Sequence, residues 1–224
     1  MASRATATSL DPDSSTKAAL VVSSNPRCTV YIDALNLYGS SLRTSKFKWL
    51  DIRAVAETLT PSGYDLTAVK YFTAQLLAHI AEDPGSVERQ KTYLKALSAT
   101  GVDVRRGVFK QRTEFRSLPG DESWIERVRP PLLPGIAASL DNLERGSTRP
   151  WKVRVRLPEE KFTDVAIGVE LVDDYHLRQC DLSVLVTNDT DLTPAVRRIV
   201  EHGQEVAVFS PTATVARELS EAAS

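Results

Sequence analysis

Cysteine, histidine and methionine are scarce in this chain of 224 residues, at two, three and one. Neither Cys28 nor Cys180 sits in a CxxC motif or a Cys/His cluster. A zinc site is therefore not expected, and both read as buried free thiols. His79, His176 and His202 lie in or beside helical stretches with no matching nucleophile motif, so a Ser or Cys triad fits poorly. An excess of charge is missing too. Twenty-eight Lys and Arg against 29 Asp and Glu leave a formal charge of −1, so any polyanion must be met by a local patch. Long apolar runs are absent. Residues 1–26 hold only "AALVV", too brief for a secretory core or a membrane span. We read 1–26 as a flexible tail, expect a cytoplasmic protein with no membrane partner, and leave self-association open.

What remains is enough for one good core. "RCTVYIDAL" (27–35) is a β-rich run that stops at Asp33. "WLDIRAVAETL" (49–59) has helical periodicity and ends before Pro61. "YDLTAVKYFTAQL" (64–76) reads as a strand. The helix that follows has Asp83 and Pro84 as start signals and Gly101 as its stop. Strands are expected at 102–110, 151–157, 181–187 and 204–210. Helices are expected at 163–180, capped by Thr163, at 193–203, capped by Thr193, and at the terminus within 211–224. Alternating strand and helix predicts an α/β fold with a mostly parallel central sheet covered on both faces, over 27–210. An insertion at 111–157 interrupts it with a long Gly- and Pro-rich loop, functional or mobile by its length, then a basic strand.

Ligands gather at the carboxyl ends of strands in such a sheet. Asp33 and Asn36 follow the first strand, Asp189 and Asp191 follow 181–187, and Asp164 opens a helix. Singly, each reads as a cap or a loop residue. Together, on one predicted rim, carboxylates with an amide suit a hard cation such as Mg²⁺ or Mn²⁺. Such ions can activate water and stabilise charge in phosphodiester displacement. An EF-hand is excluded, because the sixth and twelfth positions from Asp189 are Pro194 and Val200. Asp173 and Asp174, on another helical face from Asp164, are expected to face solvent.

Three stretches resemble one known family. "VYIDALNLYG" resembles the opening of NYN-domain proteins, a branch of the PIN-like nucleases, in which the first strand runs into Asp-x-x-Asn. "EEKFTDVAIGVELV" is similar to their Glu-Lys-x-x-Asp-Val helix start. "DLSVLVTNDTDLTPAVRRIVEHGQEVAVF" is similar to their Ser-Gly-Asp-Ser-Asp strand, turn and helix. The resemblance covers 28–40 and 157–210 and implies a three-layer PIN-like, Rossmann-like fold. It also implies that Asp33, Asp164, Asp189 and Asp191 form an acidic, metal-holding cluster, with Asn36 beside it and Lys161 near the scissile phosphate. Thr187 stands where Ser is usual. Asn188 replaces the usual Gly, and Asn tolerates the left-handed backbone that a glycine there would adopt.

Basic residues fall in two segments, Arg105, Arg106, Lys110, Arg112 and Arg116, and Lys152, Arg154 and Arg156. If these pair, they form a phosphate track toward Lys161, or equally a charged edge that discourages pairing with other chains. Trp124 reads as a loop anchor or a base-stacking group, and Tyr38 as packing the turn or touching substrate. The function implied is a Mg²⁺- or Mn²⁺-dependent ribonuclease acting on RNA. The alternatives are a non-catalytic RNA- or protein-binding module and a hydrolase of small phosphate esters.

If Arg154 and Arg156 contact phosphates, replacing both with Ala weakens RNA binding across all sequences. The slope of log K against log salt becomes shallower by roughly one to two units, at about 0.7 per contact on a single strand. Salt titrations of binding read this directly, and an unchanged slope makes the arginines edge residues only.

Overall fold

The computed structural model describes residues 25–77, 83, 85–117 and 152–223. Residues 1–24 of the tail read from the sequence, the loop with Trp124, and His79 and Pro84 lie outside the described residues. In chain order come β1 (Arg27–Asp33), α1 (Ala34–Leu37, running on into a wider turn at Tyr38–Leu42), α2 (Ile52–Leu59), β2 (Asp65–Gln75), α3 (Gly85–Ala99), β3 (Asp103–Ser117) and β4 (Lys152–Lys161). Then follow α4 (Thr163–His176), β5 (Leu182–Val186), a 3₁₀ turn (Thr190–Leu192), α5 (Thr193–Val200), β6 (Glu205–Phe209) and α6 (Arg217–Ala222).

The six strands lie in the order β4-β3-β2-β1-β5-β6. All neighbours are parallel except β3 and β4, which pair antiparallel from Val108↔Lys161 to Ser117↔Lys152. β1 is central and buried along nearly its whole length. Its residues alternate between two cores, as the pleat requires. Val30 and Ile32 pack with α1, α2 and α3 through Leu42, Ile52 and Leu94. Tyr31, with Phe72 of β2, packs against Ile167 and Leu171 of α4 and Val196 and Ile199 of α5. The α/β architecture, with helices on both faces of a mostly parallel sheet, is the PIN-like fold expected. Cys28 and Cys180 are buried free thiols. No described helix is long and apolar enough to cross a membrane.

Local chemistry departs from the sequence reading in three places. β3 and β4 are longer than predicted, because their antiparallel ladder carries polar positions that β-propensity alone would leave out. Neither Thr163 nor Thr193 caps its helix; the residues before them, Phe162 and Leu192, hold the cap positions without a side-chain bond. The N–H and hydroxyl of Thr163 instead donate to Glu160 Oε1, the N–H at 2.9 Å. The third correction is Asp174, which is buried rather than solvent-facing. It accepts from the Tyr31 hydroxyl and pairs with Lys70 Nζ at 2.8 Å, while Lys70 also reaches Glu170. Ten residues of helix do place Asp174 on a different face from Asp164, and that face is turned to the sheet, where Lys70 of β2 meets it. Burial opposes the charge on Lys70, but the Asp174 and Glu170 carboxylates outweigh it and raise its pKa.

Removing one partner from such a group leaves the others buried and uncompensated. Asp174→Ala is expected to lower unfolding stability by about 3 kcal/mol, the low end for breaking a buried pair because Glu170 still faces Lys70. Asp173→Ala, at an exposed position, should stay within about 0.5 kcal/mol of wild type. Denaturant midpoints at unchanged slope measure both, and equal losses would make the Asp174 contacts incidental.

Candidate active site

The chain leaves β1 toward β2 on one side and reaches β5 on the other, so the carboxyl edge between β1 and β5 is the switch point where open α/β sheets hold ligands. Asp33 ends β1 there and is 2 % exposed. Its Oδ1 accepts from the backbone N–H of Leu35 (3.1 Å) and Asn36 (3.0 Å), capping α1, and its Oδ2 accepts from Thr187 Oγ1 (2.9 Å). Thr187 Oγ1 in turn accepts from the Asp189 N–H at 3.1 Å. One hydroxyl thus joins the ends of the two central strands. Asp189 closes the next turn by accepting from the Asp191 N–H at 3.0 Å.

Asp164 reaches the same place from the other face, on the first turn of α4. The turn that delivers it is tight. Phe162 has φ 84°, and the segment lies so close to β3 that a Cβ on Gly107 would stand 2.7 Å from Thr163 Oγ1 and 2.8 Å from Lys161 O. A glycine inside a strand here marks close backbone approach. Glu160, bound to Thr163, fixes the start of the helix.

One oxygen each from Asp33, Asp164 and Asp189 lies within 4.8 Å of the others. Such proximity is electrostatically unfavourable without a cation. Burial, then the negative charges of Asp189, Asp33, Glu160 and Asp191, push the Asp164 carboxyl up to about 6 from its ordinary 3.8. Burial also raises Asp33, against the opposing hydrogen bonds from Asn36 and Thr187. Three ionisable oxygens in this arrangement, without nitrogen or sulfur donors, fit a hard divalent cation. Asp191 is exposed and outside that trio, although its charge is felt by Asp164.

The other sequence-predicted residues take distinct places. Asn36 Oδ1 accepts from the Asn188 N–H at 3.0 Å, so its amide pins the turn. Asn188 needs no left-handed backbone, since Phe162 and Arg178 are the described non-glycine residues with positive φ. Its side chain accepts from the Ala216 N–H (2.6 Å) and donates to Thr212 Oγ1 (3.2 Å), fastening the segment before α6 to the turn. Lys161 pairs with Glu159 at 2.6 Å. Arg105 pairs with Glu170 (3.1 Å) and Asp103 (2.9 Å), and Arg106 is exposed. The side chains of Arg154 and Arg156 lie outside the described residues, but their strand is paired to β3 opposite Phe115 and Thr113. Sequence reasoning missed Glu160 and Gly107. The mid-strand glycine of "RRGVF" was the available signal for the second.

The family model of the NYN domain matches residues 146–224. That match takes in the second and third of the three motifs and supports the NYN resemblance, while the first, at 30–39, lies outside it; the NYN domain suggests a PIN-like nuclease. A curated relative, the 6-hydroxy-3-succinoylpyridine 3-monooxygenase HspA of Pseudomonas putida (strain DSM 28022 / S16), is 27 % identical over 205 residues. The match takes in 83 % of this chain, which spans 60 % of that relative's length. A solved structure of a protein of unknown function from Vibrio parahaemolyticus RIMD 2210633 aligns with TM-score 0.49 and 14 % identity, over 89 % of this chain and 90 % of its own.

The raised carboxyl of Asp164 has a signed consequence. Between about pH 4 and 6 the folded, metal-free protein binds more protons than the unfolded chain, so stability falls as pH rises through that window and stays reduced above it. Asp164→Asn should flatten this slope and raise the melting temperature in EDTA at pH 7, but not at pH 4. Some slope persists from Asp33. Melting temperatures of both proteins across pH 4–8 decide it, and parallel curves would detach Asp164 from the cluster.

Proposed function

We propose that this chain is a metal-dependent ribonuclease that hydrolyses RNA phosphodiester bonds at the carboxyl edge between β1 and β5. The observation that carries the reading is the meeting of Asp33, Asp164 and Asp189 within 4.8 Å, drawn from three distant segments. Mg²⁺ or Mn²⁺ held by these carboxylates would lower the pKa of water and neutralise charge on the phosphate. The chain's own groups supply the positioning. Thr187 and the N–H groups of Leu35 and Asn36 hold the Asp33 carboxylate in one orientation, and Asn36 and Asn188 keep the Asp189 turn in register with it.

The basic edge favours a polymer over a small ester. Arg106 and Lys110 are exposed on β3 and share a face of the hairpin with Lys161, which pairs with Val108; Arg154 and Arg156, opposite Phe115 and Thr113, belong to the other face by the pleat. A strand of phosphates laid on the first face would meet Arg106, Lys110 and Lys161, a local patch of the kind a neutral protein needs.

A second reading follows from the named relative, a monooxygenase acting on a hydroxypyridine. Under it, this chain oxidises a small aromatic heterocycle. Oxygen-dependent turnover of 6-hydroxy-3-succinoylpyridine with a supplied reductant would favour it.

The ribonuclease reading predicts that purified protein cleaves labelled single-stranded RNA with Mn²⁺ or Mg²⁺ and not in EDTA. Asp33→Asn and Asp189→Asn should each lower the rate about a hundredfold or more, as loss of charge stabilisation at a reacting phosphate does. Cleavage undiminished in EDTA would remove the metal. Tight binding without cleavage would make the chain a binding module.

A further inference from the structure

A cavity adjoins the acid cluster on the opposite face of the sheet. It encloses about 430 Å³ and is walled in part by Ala34 and Leu35, the two residues that follow Asp33. It runs from there past the carboxyl end of β2 and Phe109 in the middle of β3 to the first turns of α3. The volume suits a small ligand or one unit of a larger one.

Its walls are aromatic: Tyr38, Trp49, Tyr71, Tyr93 and Phe109. The rings are ordered against one another. Trp49 and Tyr71 both meet Tyr93 edge-on, at centroid distances of 5.7 and 6.3 Å, and the Tyr93 hydroxyl donates to Leu50 O at 2.7 Å. Each edge-on pair occupies one ring face and leaves the remaining faces open to another group. Trp49 is 57 % exposed and Tyr38 43 % exposed, although burying such rings would favour the fold. Cations stand at the same cavity. Lys48 adjoins Trp49, and Arg89 of α3, paired with Asp83, lines the far side. Gln90 is committed elsewhere, bonded to Leu76 N (2.8 Å) and Ala74 O (2.9 Å), and extends the end of β2.

Exposed ring faces beside a cation select a planar ring that carries a negative charge. A nucleotide unit has that composition, and a strand whose phosphate lies at Asp33 brings its neighbouring base to the wall formed by Ala34 and Leu35. We propose that this cavity is a nucleobase pocket, which stacks one base of a single-stranded ribonucleotide chain while Lys48 meets its phosphate. The proposal takes its polymer from the ribonuclease reading, but base binding itself needs no cleavage.

The test uses the full chain in EDTA, so that nothing is cut, with fluorescein-labelled hexamers of adenosine ribonucleotide and of the abasic ribose-phosphate backbone. Anisotropy should show wild type binding the adenosine hexamer at least about fivefold tighter than the abasic one, the low end for one stacked base. Trp49→Ala and Tyr38→Ala should each bring that ratio toward one and leave abasic binding unchanged; Trp49→Phe should keep it. Thermal melts confirm that the variants fold. Equal affinity of wild type for both hexamers, or an unchanged ratio in both alanine variants, overturns the pocket. Saturation by free adenosine monophosphate without preference between hexamers makes it a small-molecule site and overturns the strand subsite. A base-dependent ratio in a protein that never cleaves RNA with Mn²⁺ leaves the pocket standing and fells the ribonuclease reading alone.

Discussion

The arrangement depends on one buried carboxylate. Asp33 ends the central strand at 2 % exposure, where an ionised group without partners would be strongly disfavoured. Three donors make it tolerable, two from the backbone of α1 and one from Thr187. Those bonds are also what fix the geometry. They start α1 in a defined direction, tie β1 to the end of β5, and through Thr187 set the Asp189 turn. A carboxylate held this firmly can sit beside Asp164 and Asp189 without swinging away to relieve their repulsion.

Asp164 is held by different means. α4 lies on the sheet through Ile167 and Leu171, both wholly buried, and through the group joining Tyr31, Lys70, Glu170 and Asp174. Apolar packing alone would let a helix slide along a flat sheet. Directional contacts between charged groups on strand and helix fix its register, at an expense in desolvation that apolar residues would avoid. Glu160 and Gly107 perform the same service at the helix start, one by bonding and the other by leaving room.

Much of this was legible in the sequence because it rests on local pattern. β1 and β5 are unbroken apolar runs, and "IDALN" and "TNDTD" place polar groups at their ends. Asp33 and Asp189 were therefore visible as rim residues before the fold was known. Asp174 was not, because its partners Tyr31 and Lys70 are 143 and 104 residues away and no periodicity reports them. Thr163 and Thr193 misled for a related reason. A threonine at a helix start favours capping locally, but Glu160 takes up the first, and the second is buried with its hydroxyl unpaired among the described residues. Asn188 also reads differently in three dimensions. Its amide serves as a staple to the segment before α6 rather than as a stand-in for glycine.

The three acids come from positions 33, 164 and 189, and this spacing governs when the centre exists. During synthesis, Asp33 emerges 131 residues before Asp164 and 156 before Asp189. Until β5 has formed and Thr187 has reached Asp33, the trio lacks Asp189 and Asp33 lacks one of its three donors. The trio is completed as one late event, when the two central strands close on each other. If these acids hold a metal as proposed, a partly folded or clipped molecule lacks the full set of ligands, and the chemistry waits for the finished fold.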